Sequence, residues 1–389
     1  MDIAPFGVVT PRPGGPPLRG FGADLKMCTD IRMLNPGAFR LSVRNLDFDQ
    51  AMDSWVGFVP QGTTFRSIEP APSQARAVSW TTRSDYVSLV SIPARLAGLP
   101  TPFLFDRLPP ELKAVGCDGL NAHGLSAAAL WDDDAEFPEA AGQPAEARLL
   151  ADFNVVEWLL GNFATVAEVR GALGGAPPLV IWGQVDFFGR SWRPTPFHYA
   201  VHDAAGDDLV LEITERRLTL PEPVAGVLAN EPRLPWHRQN LSNYAHLSFV
   251  DPPAGRLSGL AIEPLGCGSG LLGLPGDFTP PSRFVRAVFL NLSGAGCAGV
   301  DTPEKAVAQA FRFADNVAPP YGLNHTVGCE DSTQWQVVRD HERLKYYVRT
   351  YFSIGTRLVD LARVDFGTLG APHYVRLADD LGGTTPILP

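Results

Sequence analysis

Cys28, Arg44, Asn45 and Asp47 form the spacing Cys-x15-Arg-Asn-x-Asp. A thiolate is the attacking form of cysteine, and a nearby guanidinium favours it over the thiol. If Cys28 heads the mature chain, its own α-amine, which titrates near pH 7.7–8 in model peptides, can accept the thiol proton at neutral pH. Asp47 would then hold and orient that amine, as a third group does when a base must be positioned for its nucleophile. A plainer reading of the same residues is a buried free cysteine at a strand start beside a surface Arg–Asp pair.

Two extended runs, 28–33 and 41–48, must bring these residues together. They flank Asn35-Pro36-Gly37, where proline fixes φ and glycine accepts φ > 0, so the stretch reads as a β-hairpin. Folded about that turn, Asn45 comes opposite Cys28, with Arg44 and Asp47 to either side. A regular strand sends Arg44 and Asp47 to opposite faces, so a shared site requires the strand to end or bulge near Leu46.

This spacing resembles the choloylglycine hydrolase family, the N-terminal-nucleophile amidases that include bile salt hydrolases and penicillin V acylases. Its opening is usually Cys-Thr followed by Gly-Arg-Asn-x-Asp; here Val43 stands where glycine is common. Four later stretches are similar to the family's motifs in the same order. They are Asp118-Gly119-Leu120-Asn121 through Trp131, the helix pair around Trp158–Val169, Val227-Leu228-Ala229-Asn230-Glu231-Pro232, and the glycine-rich run from Gly266 to Phe284.

On its own terms each stretch has a modest reading. Residues 118–131 make a turn followed by a strand of small residues that lets another layer approach, and His123 in that turn suits a solvated or capping role better than a catalytic one. Between Asp152 and Leu173 apolar residues recur at helical spacing, Gly161 divides the run, and Thr165-Val166-Ala167-Glu168 is a capping box that starts a second helix. Residues 195–201 and 208–213 flank the turn Asp203-Ala204-Ala205-Gly206, with His198 and His202 on one strand face, which suits a cross-strand polar pair better than a metal. Asn230 either caps its turn or donates to a developing oxyanion. The glycines of 266–276 lack the Lys-Ser/Thr of a phosphate-binding loop. Helices are expected from Pro281-Ser282 to Leu290 and from Thr302 to Val317, a proline-rich covering loop over 95–116, and a terminal hairpin of 333–339 and 345–352 about Asp340–Leu344.

Strands gathered at the chain's end, helices in pairs and no βαβ alternation argue for an α+β protein of stacked antiparallel sheets covered by helices. The resemblance implies a four-layer αββα sandwich built as a single amidase domain over 28–389. It also implies catalytic roles for Cys28, Arg44, Asp47, Asn230 as oxyanion donor and Arg283 as the second arginine near the thiol. No cofactor is expected, and relatives of this kind are commonly homotetramers.

The 389 residues, 45% hydrophobic, suffice for a large core. A net charge of −10 argues against nucleic acid and anionic membrane as partners, and no apolar run reaches the ~18–20 residues that span a bilayer. Five cysteines without a Cys-x-x-Cys pair and eight histidines without ligand spacing suggest neither a metal site nor a disulfide framework. Residues 1–27 hold five prolines and no apolar signal core, so they read as a leader or propeptide, or Met27 is the initiator. A cytoplasmic protein follows from this.

The partner is then a small acyl amide. Trp131 stands where bile salt hydrolases have Asn and many penicillin V acylases Tyr, and resembles acylases of penicillin V and long-chain acyl homoserine lactones. An indole cannot donate as that Asn would, so a backbone N–H must do so, and the ring offers an apolar wall to an aryl or fatty acyl group; alternatively it packs into the core. A conjugated bile salt hydrolase is the second substrate reading. Two readings of other kinds stay open: a Cys–His hydrolase using Cys117, Cys267 or Cys329, and a non-catalytic carrier of apolar acyl ligands.

Overall fold

The computed structural model describes residues 27–34, 39–49, 51–68, 75–93, 115–183, 185–187, 190–192, 196–326, 329–379 and 387. The leader, the Asn35-Pro36-Gly37 turn and nearly all of the 95–116 loop lie outside the described residues.

In chain order the strands of the two large sheets are β1 (Met27–Arg32), β2 (Leu41–Phe48), β3 (Met52–Val59), β4 (Tyr86–Pro93), β5 (Asp118–Asn121), β6 (Ser126–Trp131), β7 (Phe197–His202), β8 (Asp208–Thr214), β9 (Arg217–Thr219), β10 (Val227–Leu228), β11 (Cys329–Asp340), β12 (Lys345–Thr350), β13 (Arg357–Asp360) and β14 (His373–Arg376). One sheet runs β10-β1-β2-β11-β12-β13, with Asn324–Thr326 also paired to β11; the other runs β9-β8-β7-β6-β5-β4-β3-β14. Every pairing within the two sheets is antiparallel.

Helices α1 (Val155–Asn162) and α2 (Val166–Leu173) share a core with the second sheet, with Val155, Leu159 and Val169 packed beside Tyr86, Ala127 and Tyr199. After α3 (Leu234–Asn240) come α4 (Pro280–Gly294) and α5 (Pro303–Asn316), which lie on the first sheet. Phe284, Ala310 and Phe313 of these helices belong to one cluster with Val43 and Ile31 of the first sheet and Phe58, Leu120 and Leu130 of the second. The layers are therefore helix, sheet, sheet, helix, the αββα sandwich that the resemblance implies. Small residues make the stacking possible: a Cβ on Gly119 would meet Val87 O at 2.5 Å and the Leu160 side chain of α1. Helix starts follow their caps, Thr165 accepting from Glu168 N at 3.2 Å and Thr302 from Lys305 N at 3.3 Å.

β1 and β2 pair one residue away from the expected register, Cys28 lying opposite Leu46 and Thr29 opposite Asn45. The ladder extends to Met33, whose N–H donates to Leu41 O at 2.9 Å. A bulge falls beside Leu46 as anticipated, between Leu46 and Asp47, but the extra residue is Gln334 on β11. β2 stays in register with β1 through it.

Candidate active site

Strand β10 decides where Cys28 sits. Its register, Ile31 to Val227 and Asp30 to Leu228, carried two residues further sets Asn230 beside Cys28. The Cys28 nitrogen donates to Asn230 Oδ1 at 2.7 Å, and the Cys28 carbonyl accepts from Arg283 Nη1 at 2.7 Å. Arg283 comes from the first turns of α4 and also donates to Asn230 Oδ1 at 2.6 Å and to the Thr29 hydroxyl. Two side chains, 202 and 255 residues away in sequence, thus converge on one residue's main chain.

The thiol faces the other sheet. Arg44 Nη2 lies 3.6 Å from Cys28 Sγ, while the same guanidinium reaches across to Asp118 Oδ2 at 3.1 Å and to the carbonyls of Cys117 and Ala129. Asp118 in turn binds Arg339, which also holds Asp30 Oδ2 at 2.9 Å, and Asp30 Oδ1 meets His202 Nε2 at 2.6 Å. All five side chains of this chain of charges are buried. Burial pushes the Cys28 thiol up; Arg44 pulls it down, Asp47 adds to the rise, and burial prevails. Arg44 favours the thiolate as expected, but a fully desolvated anion costs more than one shared guanidinium returns. A base is needed as well.

Asn230 spends one amide proton on Trp131 O at 2.7 Å, which leaves the second. Its own carbonyl accepts from His237 Nε2 at 2.9 Å, so His237 carries its proton there; that ring is stacked on Phe284 at 4.4 Å. Burial holds His237 down at about 4, so it is neutral at pH 7. The Trp131 main-chain N–H reaches the Cys28 sulfur. The indole lies elsewhere: paired with Phe197, it meets that ring edge-on at 6.0 Å, on the sheet face that packs against α1 and α2. Its N–H donates to Asp133 Oδ1 at 2.6 Å. The main chain of Trp131, not its ring, is what the structure brings to the thiol.

Asp47 lies opposite Met27 and accepts from Thr333 Oγ1 at 2.7 Å; its Oδ2 is buried without a hydrogen-bond partner among the described residues. Burial raises its carboxyl to about 7 against the pull of Arg283 and the Thr333 hydroxyl. With Met27 in place, Asn230 rather than Asp47 holds the Cys28 nitrogen.

The remaining candidates are dispersed. The Cys117 thiol donates to Leu89 O at 3.1 Å and is pushed by burial to about 11, and Cys267 is exposed; the Cys329 side chain lies outside the described residues. No histidine bonds Cys117 or Cys267 among the described residues, which removes the partner that a Cys–His hydrolase there would need. His123 is in an exposed turn. His198 faces Asp132 and Glu212 at 3.9 Å each, Glu212 lying on the neighbouring strand β8 as a cross-strand polar pair requires, and His202 faces Asp30 of the other sheet. Among the described residues no three His, Cys, Asp or Glu side chains group as metal ligands.

Sequence reading missed Asp118 as the partner of Arg44, and Arg339 and His237 altogether. Asp118 had a signal, since it opens a motif; Arg339 and His237 act only through contacts made by folding.

The family model for linear amide C–N hydrolases of the choloylglycine hydrolase family matches residues 28–371, beginning at Cys28. A bile salt hydrolase/transferase of Clostridium perfringens is 28% identical over 341 residues, covering 86% of this chain and 92% of the relative. A penicillin V acylase of Pectobacterium atrosepticum is 27% identical over 267 residues, 65% of this chain and 64% of the relative. Among solved structures, a variant of the conjugated bile acid hydrolase of Clostridium perfringens superposes with a TM-score of 0.76 at 25% identity, covering 91% of this chain and 98% of that one. Penicillin V acylase from Agrobacterium tumefaciens gives 0.68 at 21% identity, covering 92% and 95%. With a match that spans most of its length and opens on the residue that the site is built around, the chain belongs to the choloylglycine hydrolase family of linear amide C–N hydrolases.

Proposed function

We propose that Cys28, once it heads the chain, is the nucleophile of this amide hydrolase and that its α-amine is the base. The observation that carries the reading is that nitrogen, carbonyl and sulfur of Cys28 are each held by a different side chain, Asn230, Arg283 and Arg44. The amine takes the thiol proton and the sulfur attacks the amide carbon. The oxyanion is received by the Trp131 main-chain N–H and the free amide proton of Asn230. The proton passes from the α-amine to the leaving amine as the C–N bond breaks; the freed Cys28 α-amine then deprotonates water, which cleaves the thioester, and returns that proton to the sulfur as the thiol. Asp47 holds the amine after Met27 is gone. Cys28→Ser is expected to lower amide hydrolysis at least ~10²-fold, since a hydroxyl is the weaker nucleophile under an unchanged base; a variant near wild-type rate removes Cys28 from the site. Mass spectrometry of the mature protein is expected to show Cys28 as the N-terminus.

The acyl group belongs to the same proposal. Aryl or fatty acyl amides of the penicillin V and acyl homoserine lactone kind are the first reading, supported by the penicillin V acylase of Pectobacterium atrosepticum among the relatives and not by the Trp131 indole, which packs beside Phe197 on the sheet face away from the thiol. Conjugated bile salts are the second reading, favoured by the printed names of relatives such as that of Clostridium perfringens. Parallel kcat/KM measurements on phenoxyacetyl, long-chain acyl homoserine lactone and glycine-conjugated bile acid substrates rank them, and a preference for the bile conjugate reverses the order. A cytoplasmic homo-oligomer completes the proposal. The described cysteines Cys28, Cys117, Cys267 and Cys297 are all free, which supports a reducing compartment, and no helix among the described residues is long and apolar enough to cross a membrane.

A further inference from the structure

Beyond the bulge, β2 and β11 pair Asp47 with Thr333 and Phe48 with Ser332, so Asp47 and Asp331 stand diagonally on one face and Asp49 is the next residue opposite Asp331. Diagonal neighbours of an antiparallel pair lie within reach of each other. Asp47 and Asp331 are 0% and 1% exposed. Both Asp331 oxygens, Asp47 Oδ2 and Asp49 Oδ1 are buried without a hydrogen-bond partner among the described residues. The cation nearest them, Arg283, spends its donors on Phe278 O, Cys28 O, the Thr29 hydroxyl and Asn230 Oδ1, and none on a carboxylate. Two desolvated carboxylates this close cannot both stay ionised without a counter-charge. The group facing Asp47 across the ladder is Met27, the residue whose removal would create an ammonium at Cys28.

We propose that Asp331 is a second carboxylate of the amine-binding end of the site: it shares one proton with Asp47 while Met27 precedes Cys28, and the pair releases that proton to solvent when the Cys28 ammonium arrives beside Asp47. Asp331 is in this account a positioning residue acting through Asp47, and the account deepens the reading of Cys28 as an N-terminal nucleophile on which it rests. Besides each other, Asp47 and Asp331 face Asp49 just after β2, Arg44 from β2 and Arg283 from α4. Burial raises Asp331 to about 8, with Asp47 and Asp49 adding to the rise and Arg283 opposing it.

Two measurements test this. In the full-length Cys28→Ala chain, retaining Met27, thermal unfolding is compared with and without Asp331→Asn across pH 5 to 9. A carboxyl raised in the fold binds its proton more tightly there than in the unfolded chain, so its contribution is present at low pH and lost as pH rises towards its folded value. The Asn variant, which mimics the protonated acid, is therefore expected to melt only slightly higher than its parent at pH 5, just above the unfolded carboxyl's pKa of about 3.9, with the gap widening up to about pH 8 and constant beyond it. A gap independent of pH overturns the shared proton. If Asp331→Asn does not accumulate folded, Asp47→Asn in the same background reads the pair from the other side, with the gap widening up to about 7 and constant beyond it.

In the mature enzyme, Asp331→Asn removes negative charge beside the amine, lowering its pKa, so the acid limb of the kcat/KM profile is expected to move down by ~1 pH unit. An unshifted limb overturns the role toward the amine, since a merely structural Asp331 would change stability and leave the profile in place. The first measurement needs no catalysis, so a Cys28→Ser enzyme of near wild-type rate would sink the nucleophile reading while leaving that gap as it is.

Discussion

Asn230 does several things at once. Its Oδ1 accepts from Cys28 N and Arg283, its amide nitrogen donates to Trp131 O, and its carbonyl is held by His237. Asn230→Ala is expected to lower kcat by roughly 10²–10³, the cost of one missing oxyanion donor; an effect confined to KM would reduce Asn230 to a pocket wall. His237→Phe keeps a ring over Phe284 but removes the donor to the Asn230 carbonyl, leaving a buried acceptor unpaired. A loss of ~1–3 kcal/mol in urea unfolding is expected, and an unchanged midpoint would show that the Asn230 carbonyl finds another donor. Both residues lie in or next to a short loop between β10 and α3 whose position comes from contacts with β1 and α4.

At the scale of elements, the site depends on how closely layers approach. β5 is pressed between β4 and α1, with Gly119 at the contact. Gly119→Ala is expected to cost ~1–3 kcal/mol by overpacking, because Val87 O belongs to the neighbouring strand's backbone and cannot turn aside as a side chain would. Chemical denaturation checks this, and a neutral substitution would mean that α1 shifts freely on the sheet. The same strand carries Asp118, so a displaced β5 also moves the partner of Arg44. Most elements were legible because their signals are local: Thr165 and Thr302 as caps, Asp203–Gly206 as a turn, and the alternation of β11 and β12. The register of β1 on β2 was not, since it depends on where a long connection centres.

Across the whole molecule, the two sheets are joined by charges as well as by apolar packing. Arg44, Arg339 and Asp30 from the first sheet meet Asp118 and His202 from the second, and Tyr346 adds a hydrogen bond to Asp118 at 2.9 Å. Burial opposes the ionised Asp30, but Arg339 and His202 outweigh it and hold that carboxyl well below its usual range. Removing Asp118 would leave Arg44 without its carboxylate and Arg339 with Asp30 alone in a dry interior. Asp118→Ala is expected to destabilise the fold by ~3–5 kcal/mol and to lower kcat further through a misplaced Arg44. Activity near wild type in a folded Asp118→Ala protein would show that Cys28 does not need Arg44 held.

By itself the sequence picked out the residues proposed to carry the chemistry and the kind of fold that holds them. Residue type and short spacing are enough for Cys28, Arg44 and Asp47, and alternation with paired helices is enough for stacked sheets under helices. The tertiary structure alone decided what those residues do to one another. Asn230 reaches Cys28 across 202 residues because β10 pairs with β1. The Trp131 ring turns away from the thiol because β6 alternates and Phe197 pairs with it. The thiol stays protonated despite Arg44 because burial is a property of the folded whole, summed over two sheets, and no local spacing carries it.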